Sequence, residues 1–568
     1  MDKKRVTILT SIILFCFIAV LFRLADIMLV RHRELAKRSR TQYLIVQDIK
    51  PKRGTVYDRK GRELAVNLEL DSLYGIPSEV EDAKDTALKL SSLIKVSDST
   101  LEHRLSRGGD FVWISRKLDP KITNRIKEMN LPGLEFLPET KRVYPKGTLA
   151  AHVLGFCDID NKGIEGIELK YDNYIKGRSR KLMLGRDAFG KNLSTGSIPE
   201  ISGDNIVLTI DEDLQYIVDK ELDKAMQETH ARAAVAVMMN PETGEILAMA
   251  DRPAYDPNNP SAFSPADRRN RAITDCYEPG SVFKAILVSG VIQENIFPLS
   301  QTFDCSKGSI EVGGRIIHDA ERHGVLTLTQ VVQKSSNVGA IQIGMRFGKE
   351  RYYKYIKAFG FGEKTGIDLP GEVSGMLKEP SRWSGVSIGS ISIGQEIAVT
   401  PLQLLRAYCA IANGGYLLKP YIVSEITDAE GKPVKVFGPQ RIRRVISERT
   451  SRIVTDILTT VTEDGGTAAK AALDGNPVAG KTGTAQMVDP ETRRYSHSKY
   501  ASSFIGFVPA DKPRIALIVV IFEPKGEHYG GHVAGPVFKR IAEQSLTYLN
   551  IPIEKDNHLL LVEHDEDR

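Results

Sequence analysis

Between Val6 and Phe22 the chain runs seventeen residues without a charge, with Lys3, Lys4 and Arg5 before the run and Arg23 after it. As a helix this run is about 26 Å long, near the ~30 Å hydrocarbon thickness of a bilayer. Ala25-Asp26-Ile27-Met28-Leu29-Val30 extends it. No small-x-small cleavage site follows, and the run is longer than the apolar part of a signal peptide. We therefore expect residues 1–30 to be a short N-terminal stub and one uncleaved membrane anchor. Flanking charge leaves the orientation open. Arg31, Arg33, Lys37, Arg38 and Arg40 outnumber the basic residues before the run, but long domains translocate largely regardless of such flanks. Arg23 either snorkels to the interface or meets a partner within the membrane.

At 568 residues the chain is too long for one core, so two or more domains are expected. A hydrophobic share of 42% with 26% charged residues excludes wholesale disorder, and a net charge of +5 gives no reason to invoke nucleic acid. The basic run Arg31–Arg40 reads as a solvated juxtamembrane face, and Glu563–Arg568 as an acidic, solvated tail. Five scattered cysteines lack the spacing of a zinc site. Cys276 and Cys305 are either isolated thiols or, in an exported domain, a pair.

From residue 31 to about 200 the chain is polar and mixed, with short alternating segments. Arg53-Gly54 to Gly61 reads as strand, turn and strand, and no nucleophile or metal spacing appears. By its chemistry this is a structural module. The texture changes near Gly203. Asn205–Ile210 is a strand candidate, Asp213–Glu228 a helix, and Ala233–Met239 with Glu245–Ala250 a hairpin about Asn240-Pro241-Glu242-Thr243-Gly244. Val478–Val488, Ser502–Val508 and Arg514–Phe522 are three later strands. Between the two strand sets lies a helical middle. One helix there is well signalled, with Thr400 as N-cap, Pro401 first, Gln403 completing a capping box and Gly414-Gly415 as the stop. Strands at both ends with helices between them predict an α+β domain, one antiparallel sheet packed against a helical lobe and closed by a last helix, Gly535–Leu549.

The chemistry centres on Glu278-Pro279-Gly280-Ser281-Val282-Phe283-Lys284. Pro279-Gly280 breaks what precedes, and Ser281 opens an apolar run, Ala285–Val288, that reads as a buried helix. Ser281 and Lys284 then share a face, with Cβ atoms roughly 5–6 Å apart, and the serine feels the positive end of the helix dipole. Alone the spacing is weak, since about two such pairs arise by chance in a chain this long; Ser92/Lys95 and Ser496/Lys499 are others. Two further motifs accompany it. Ser335-Ser336-Asn337 follows a helical segment, Thr329–Lys334, and Lys481-Thr482-Gly483-Thr484 lies in a strand candidate. A second Lys-Thr-Gly, Lys364–Gly366, leads into loop-like sequence and is set aside.

Acyl transfer needs a nucleophile, a base, a proton relay and oxyanion donors. No G-x-S-x-G elbow accompanies the eleven histidines, so a Ser-His-Asp triad is not indicated. A lysine base must be neutral, and moving its pKa from ~10.4 to near 7 takes about 4–5 kcal/mol of bias. Lys481 is a candidate source of part of that bias on Lys284, and Ser335 a candidate relay to the leaving amine. Asn337 can donate to a substrate carbonyl and accept from Lys284. Thr482 and Thr484 offer hydroxyls to a substrate carboxylate, with the Thr484 N–H facing that of Ser281 as oxyanion donor. Asp319, His318 and Tyr277 read as supporting structure.

Ser-x-x-Lys, Ser-x-Asn and Lys-Thr-Gly in this order resemble the set shared by penicillin-binding proteins and serine β-lactamases. The flanks, Asn270–Thr274, Tyr277–Ser281, Ile317-His318-Asp319, Ser335–Gly339 and Lys481–Gln486, resemble a class B penicillin-binding protein, most of all the division-specific (FtsI-type) peptidoglycan transpeptidase. Arg53–Gly61 and Gly163-x-x-Gly166-x-Glu168 resemble that family's N-terminal pedestal. The resemblance implies an elongated mixed pedestal over 31–200, and over 201–550 a transpeptidase domain with a five-stranded antiparallel sheet and an all-helical lobe, before a tail at 551–568. It implies a catalytic domain outside the cytoplasmic membrane that is acylated on Ser281 by the D-Ala-D-Ala end of a stem peptide and forms a cross-link to a neighbouring amine. Lys284, Ser335, Asn337 and Lys481 would assist, with Thr482, Gly483 and Thr484 binding substrate. β-Lactams would trap the same serine, and no metal or cofactor is implied. A polytopic SEDS-family glycosyltransferase (FtsW type) and other division proteins are the implied partners. Competing readings are a carboxypeptidase or β-lactamase, an elongation-specific transpeptidase, and a non-enzymatic β-lactam receptor or division scaffold.

Overall fold

The computed structural model describes residues 3–36, 44–49, 51–185, 201–489, 492 and 494–552. From residue 553 the acidic tail lies outside the described residues, as does Lys37–Arg40 of the basic run. The chain packs as two units. The first is Met1–Arg53 with Lys176–Gly203, and the second is Gly54–Ile175 with Asp204–Arg568. In the first, helix α1 (Lys3–Ala25) continues through one π-helical turn, Asp26–Val30, and Lys3–Val30 is long and apolar enough to cross a membrane. Asp26 pairs with both Arg23 (3.0 Å) and Arg31 (3.2 Å), so the charge foreseen as snorkelling has an acceptor within its own helix. Leu44–Ile49 pairs antiparallel with Arg180–Gly185 in the same unit.

The second unit runs β1 (Val56–Tyr57), β2 (Glu63–Gly75), β3 (Val112–Ser115), β4 (Leu134–Val143), β5 (Asn205–Leu208), α2 (Glu212–Thr229), β6 (Ala233–Met239) and β7 (Ile246–Arg252). Next come α3 (Lys284–Gln293), α4 (Leu328–Gln333), α5 (Asn337–Phe347), α6 (Pro401–Ala412), β8 (Val423–Thr427), β9 (Pro433–Val436) and α7 (Glu448–Thr459). It closes with β10 (Ala479–Val488), β11 (Tyr495–Val508), β12 (Ile515–Phe522) and α8 (Gly535–Tyr548). Most elements foreseen from the sequence recur within a residue or two. The second hairpin strand begins at Ile246 and runs on to Arg252, where its pairing with Ala234 ends. At α6 the Thr400 side chain accepts from Gln403 N–H and the Gln403 side chain answers, completing the capping box.

Five strands, ordered β10-β11-β12-β6-β7, form one antiparallel sheet. Every residue of β6, β7 and β12 is buried, because α2 and α8 pack against the strands and α6 packs on β6, β11 and β12. This explains why β12, Ile-Ala-Leu-Ile-Val-Val-Ile-Phe, is apolar without alternation. A second sheet, ordered β9-β8-β5-β1-β2-β3 with β4 also on β2, joins strands near residues 56–143 to strands at 205–208 and 423–436. β2, β3 and β4 carry a small separate core of Leu73, Leu90, Leu101, Leu105, Ile114 and Ile126.

Segments singled out early in the sequence converge beneath that sheet. Arg142 Nε donates to Glu168 Oε1 (2.6 Å) and its Nη1 to the Gly54 carbonyl (2.8 Å), with both side chains at most 2% exposed. Gly166 has φ +61°, and a Cβ there would lie 2.5 Å from Gly155 N and Val153 O, so only glycine fits. Removing one partner of a buried pair strands the other charge. Glu168→Ala is expected to destabilise the protein by about 3–5 kcal/mol, read as a lowered denaturation midpoint; a shift below a quarter of that would show the pair to be dispensable.

Candidate active site

Ser281 lies in a 3₁₀ turn, Gly280–Phe283, and the α-helix proper begins at Lys284. The sequence pattern had the α-helix starting at Ser281. The tighter turn follows from crowding: Gly280 has φ +60° and donates to the Gly394 carbonyl (3.1 Å), and a Cβ on Gly394 would come within 2.1 Å of Gly280 O. Residues three apart eclipse in a 3₁₀ turn, so Ser281 and Lys284 stay on one face.

Lys284 is 1% exposed, and the stretch Lys284–Ile292 is buried throughout. Its Nζ donates to the Ser335 carbonyl (2.6 Å), to Asn337 Oδ1 (2.9 Å) and, at 3.4 Å, to Ser335 Oγ. Lys481, 0% exposed on β10, donates to the same Ser335 hydroxyl at 3.0 Å and to Thr482 Oγ1 at 3.1 Å. Three segments 54 and 146 residues apart thus meet at one hydroxyl. Burial pushes the Lys284 amine down to about 7, against a smaller opposing pull from Asp319 and the Cys305 thiol. Lys481 is lowered well below its ordinary range, first by burial and then by the Lys284 charge. Burial is the largest cause at both amines, and because repulsion between two ammonium groups is mutual, the neighbouring cation acts in the direction expected from the sequence.

Ser335 owes its position to a helix ending. Its N–H donates to the Val332 carbonyl (3.2 Å) and that of Ser336 to Val331 (3.0 Å), the paired bonds that close a helix on a left-handed residue. Glycine usually fills that place; Ser335 does so at φ +58°, a strained conformation for a side chain. Ser336 at once caps α5 by accepting from Gly339 N–H (3.0 Å). Asp319 clamps the junction, accepting from Ser336 Oγ (2.9 Å), Val338 N–H (3.0 Å) and Asn337 N–H. Asn337 Nδ2 donates to the His318 carbonyl (3.0 Å), so one of its two amide protons is already engaged.

β10 is an edge strand. A Cβ on Gly483 would lie 2.4 Å from Ser503 Oγ and 2.9 Å from the Pro279 carbonyl, so the bare backbone lets the strand press against the Ser281 turn. Thr482 Oγ1 is 3.0 Å from Thr467 Oγ1, and Thr484 Oγ1 accepts from Gly530 N–H (2.9 Å). Neither Thr467 nor Gly530 was singled out from the sequence; the Gly530-Gly531 doublet was the one available signal of close backbone approach. The spare Lys-Thr-Gly folds elsewhere, with Thr365 and Gly366 donating to Glu372. Cys276 and Cys305 are both free thiols, Cys305 buried with its sulfur 3.4 Å from Ser336 Oγ. Among the described residues no cluster of potential ligands could hold a metal ion.

Together these groups make a buried amine near neutrality beside a serine, with a second amine and a shared hydroxyl, which is what proton transfer from a serine to a leaving group requires. The penicillin binding protein transpeptidase domain family matches residues 234–543, and the penicillin-binding protein dimerisation domain family residues 48–208. The peptidoglycan D,D-transpeptidase FtsI of Escherichia coli K12 is 34% identical, covering 96% of this chain and 92% of its own. The probable peptidoglycan D,D-transpeptidase PenA of Neisseria meningitidis is 34% identical over 97% and 94%. Stage V sporulation protein D of Bacillus subtilis is 35% identical over 98% and 87%. Penicillin binding protein 3 of Mycobacterium tuberculosis, solved with aztreonam, superposes with a TM-score of 0.71 at 30% identity, covering 89% of this chain and 98% of that one. The chain belongs to the class B penicillin-binding proteins, the serine-type peptidoglycan D,D-transpeptidases.

Proposed function

We propose that this enzyme cross-links septal peptidoglycan during cell division, with Ser281 as its nucleophile. The observation that carries the assignment of roles is the meeting of Lys284 and Lys481 on Ser335. Neutral Lys284 takes the Ser281 proton as the hydroxyl attacks the carbonyl of the penultimate D-Ala, and the backbone N–H groups of Ser281 and Thr484 receive the oxyanion. Ser335, between the two amines, passes the proton to the departing D-Ala. Asn337 and Lys481 hold the relay, while Thr482, Gly483 and Thr484 bind the end of the stem. An amine of a second stem then resolves the ester, and β-lactams acylate Ser281 without release.

The functional division we propose is anchor 1–30, pedestal 31–200, transpeptidase 201–550 and acidic tail 551–568. In this scheme the N-terminus is cytoplasmic and the catalytic domain lies outside the cytoplasmic membrane. The anchor and pedestal engage an FtsW-type SEDS glycosyltransferase and other division proteins. Depletion is expected to give filaments; round cells would assign the enzyme to elongation.

After penicillin treatment, intact-mass and digest mapping should place the whole adduct on Ser281, and none should form on Ser281→Ala. An adduct elsewhere would overturn the nucleophile. Because a protonated Lys284 cannot accept a proton, acylation should rise about tenfold per pH unit below about 7 and level off above it. At pH 5 the rate should be roughly 1% of the plateau. Lys284→Arg, charged at every accessible pH, should lose about 10²–10⁴-fold at pH 8; a rate flat between pH 5 and 8 in the parent protein would remove Lys284 as base.

A further inference from the structure

A second polar cluster lies on the N-terminal side of the Ser281 turn and takes no part in the proton path. Glu278, three residues before Ser281, accepts from Glu396 N–H (2.9 Å) and Tyr495 OH (3.1 Å) through Oε1, while its buried Oε2 has no hydrogen-bond partner among the described residues. Burial raises the Glu278 carboxyl above the ordinary range, and Arg315 is the cation acting against that rise. Arg315 projects from the hairpin Ser309–His318 with its guanidinium 5.8 Å over the Tyr495 ring, yet among the described residues it forms no ion pair. Glu396, held at φ +60°, accepts from Ser387 Oγ (2.7 Å) and likewise lacks a cation. Two carboxylates and a guanidinium thus stand close together and unpaired. Arg315 is exposed and its charge is solvated, but an internal structural network would be expected to partner the buried Glu278 Oε2, since a buried polar atom left without a donor is costly.

The course of the substrate leads to this cluster. Given the proposed binding of the stem's end at Thr482 and Thr484, the rest of the peptide must leave along β10 in one of two directions. Toward Ala479 the strand is buried. Toward Val488, itself 47% exposed, it opens, and Val488 pairs with Tyr495. At about 3.3 Å per residue the four steps from Thr484 to Val488 span roughly 13 Å, the reach of the residue that precedes the reacting D-Ala together with a long, extended side chain.

We infer that Arg315, Glu278 and Glu396 form a subsite for a zwitterionic side-chain end on the stem's third residue, that of a diamino dicarboxylic acid. Arg315 takes the carboxylate, and Glu278 with Glu396 takes the ammonium. A simple diamino acid, with an ammonium and no carboxylate, leaves the guanidinium unmatched and binds more weakly. This subsite rests on the reading of Ser281 and β10 given above and specifies which stem that site accepts.

The test uses full-length protein in detergent micelles and a fluorescent penicillin. Two pentapeptides ending in D-Ala-D-Ala, identical except for a diamino dicarboxylic acid or lysine at position three, compete for acylation, each measured against the variant's own uncompeted rate. The dicarboxylic peptide should protect at about tenfold lower concentration, as loss of one charge-assisted contact implies. Arg315→Ala should bring the two peptides within about twofold of each other, Arg315→Lys should restore part of the difference, and Glu278→Gln should weaken both peptides alike. Equal protection by the two peptides, no protection by either, or a ratio that survives Arg315→Ala would overturn the subsite. Failure of the penicillin to label Ser281 in the parent protein is a separate result and would overturn the nucleophile together with everything built on it.

Discussion

Two buried lysine side chains share one half-buried hydroxyl, and the rest of the domain exists to make that tolerable. An ammonium removed from water loses several kcal/mol of hydration, and a second within reach of the same oxygen adds repulsion. Neither Lys284 nor Lys481 has a carboxylate in contact to offset this; their acceptors are the Ser335 carbonyl and hydroxyl, Asn337 Oδ1 and Thr482. The consequence is chemical, because the pair cannot carry two full charges at neutral pH. Burial thereby makes the commonest surface cation available as the proposed base.

Holding that arrangement takes rigid parts from three places. Lys284 comes from the first turn of a helix buried on all sides, Lys481 from a strand pressed against the Ser281 turn, and Ser335 from the joint of two helices. The joint is the least comfortable of the three. A serine occupies a left-handed position suited to glycine, and Asp319 bridges the backbone and side chain that follow it. Strain of this kind persists only where the surroundings over-determine it. Here they do, since the hydroxyl that glycine lacks is what joins the two amines. Gly483 plays the opposite part: the absent side chain lets β10 close on the Pro279-Gly280 backbone.

Local physics explains which features could be read in advance. The capping box at Thr400, the hairpin about Asn240–Gly244 and the unbroken apolar run of β12 announce themselves because each is decided by neighbours in sequence. Lys284, Lys481 and the Ser-x-Asn segment could be grouped in advance because acyl transfer calls for a base, a relay and a second cation, and the structure brings these segments together. Three things were not. The 3₁₀ start at Ser281 depends on Gly394, more than a hundred residues away, and no local propensity contains it. The joining of 423–436 to strands at 56–143 is a long-range pairing, so a boundary drawn from composition near residue 200 gives no sign of it. The depth of burial behind the low Lys284 pKa belongs to the whole fold, whereas a second lysine is visible in the text of the chain.

Set side by side, the two polar clusters differ in how complete they are. Around Ser335 each amine already has its acceptors, so this part of the proposed proton path is in place whether or not anything is bound. Around Glu278 the arrangement is incomplete among the described residues: a buried oxygen without a donor, a second carboxylate without a cation, and a guanidinium whose neighbour is an aromatic ring. A chemical step needs its groups organised in advance, because any rearrangement adds to the barrier. Recognition needs the reverse, groups left short of partners until the ligand supplies them, so that a ligand missing one charge leaves one behind. The edge strand joins these two conditions, since β10 is buried from Ala479 to Gly483 and opens toward an exposed Val488, across from Tyr495. On the proposed reading, catalysis and selectivity are separated along a single strand, and the strand's unpaired edge, elsewhere an aggregation risk, would be the surface on which an extended peptide is read.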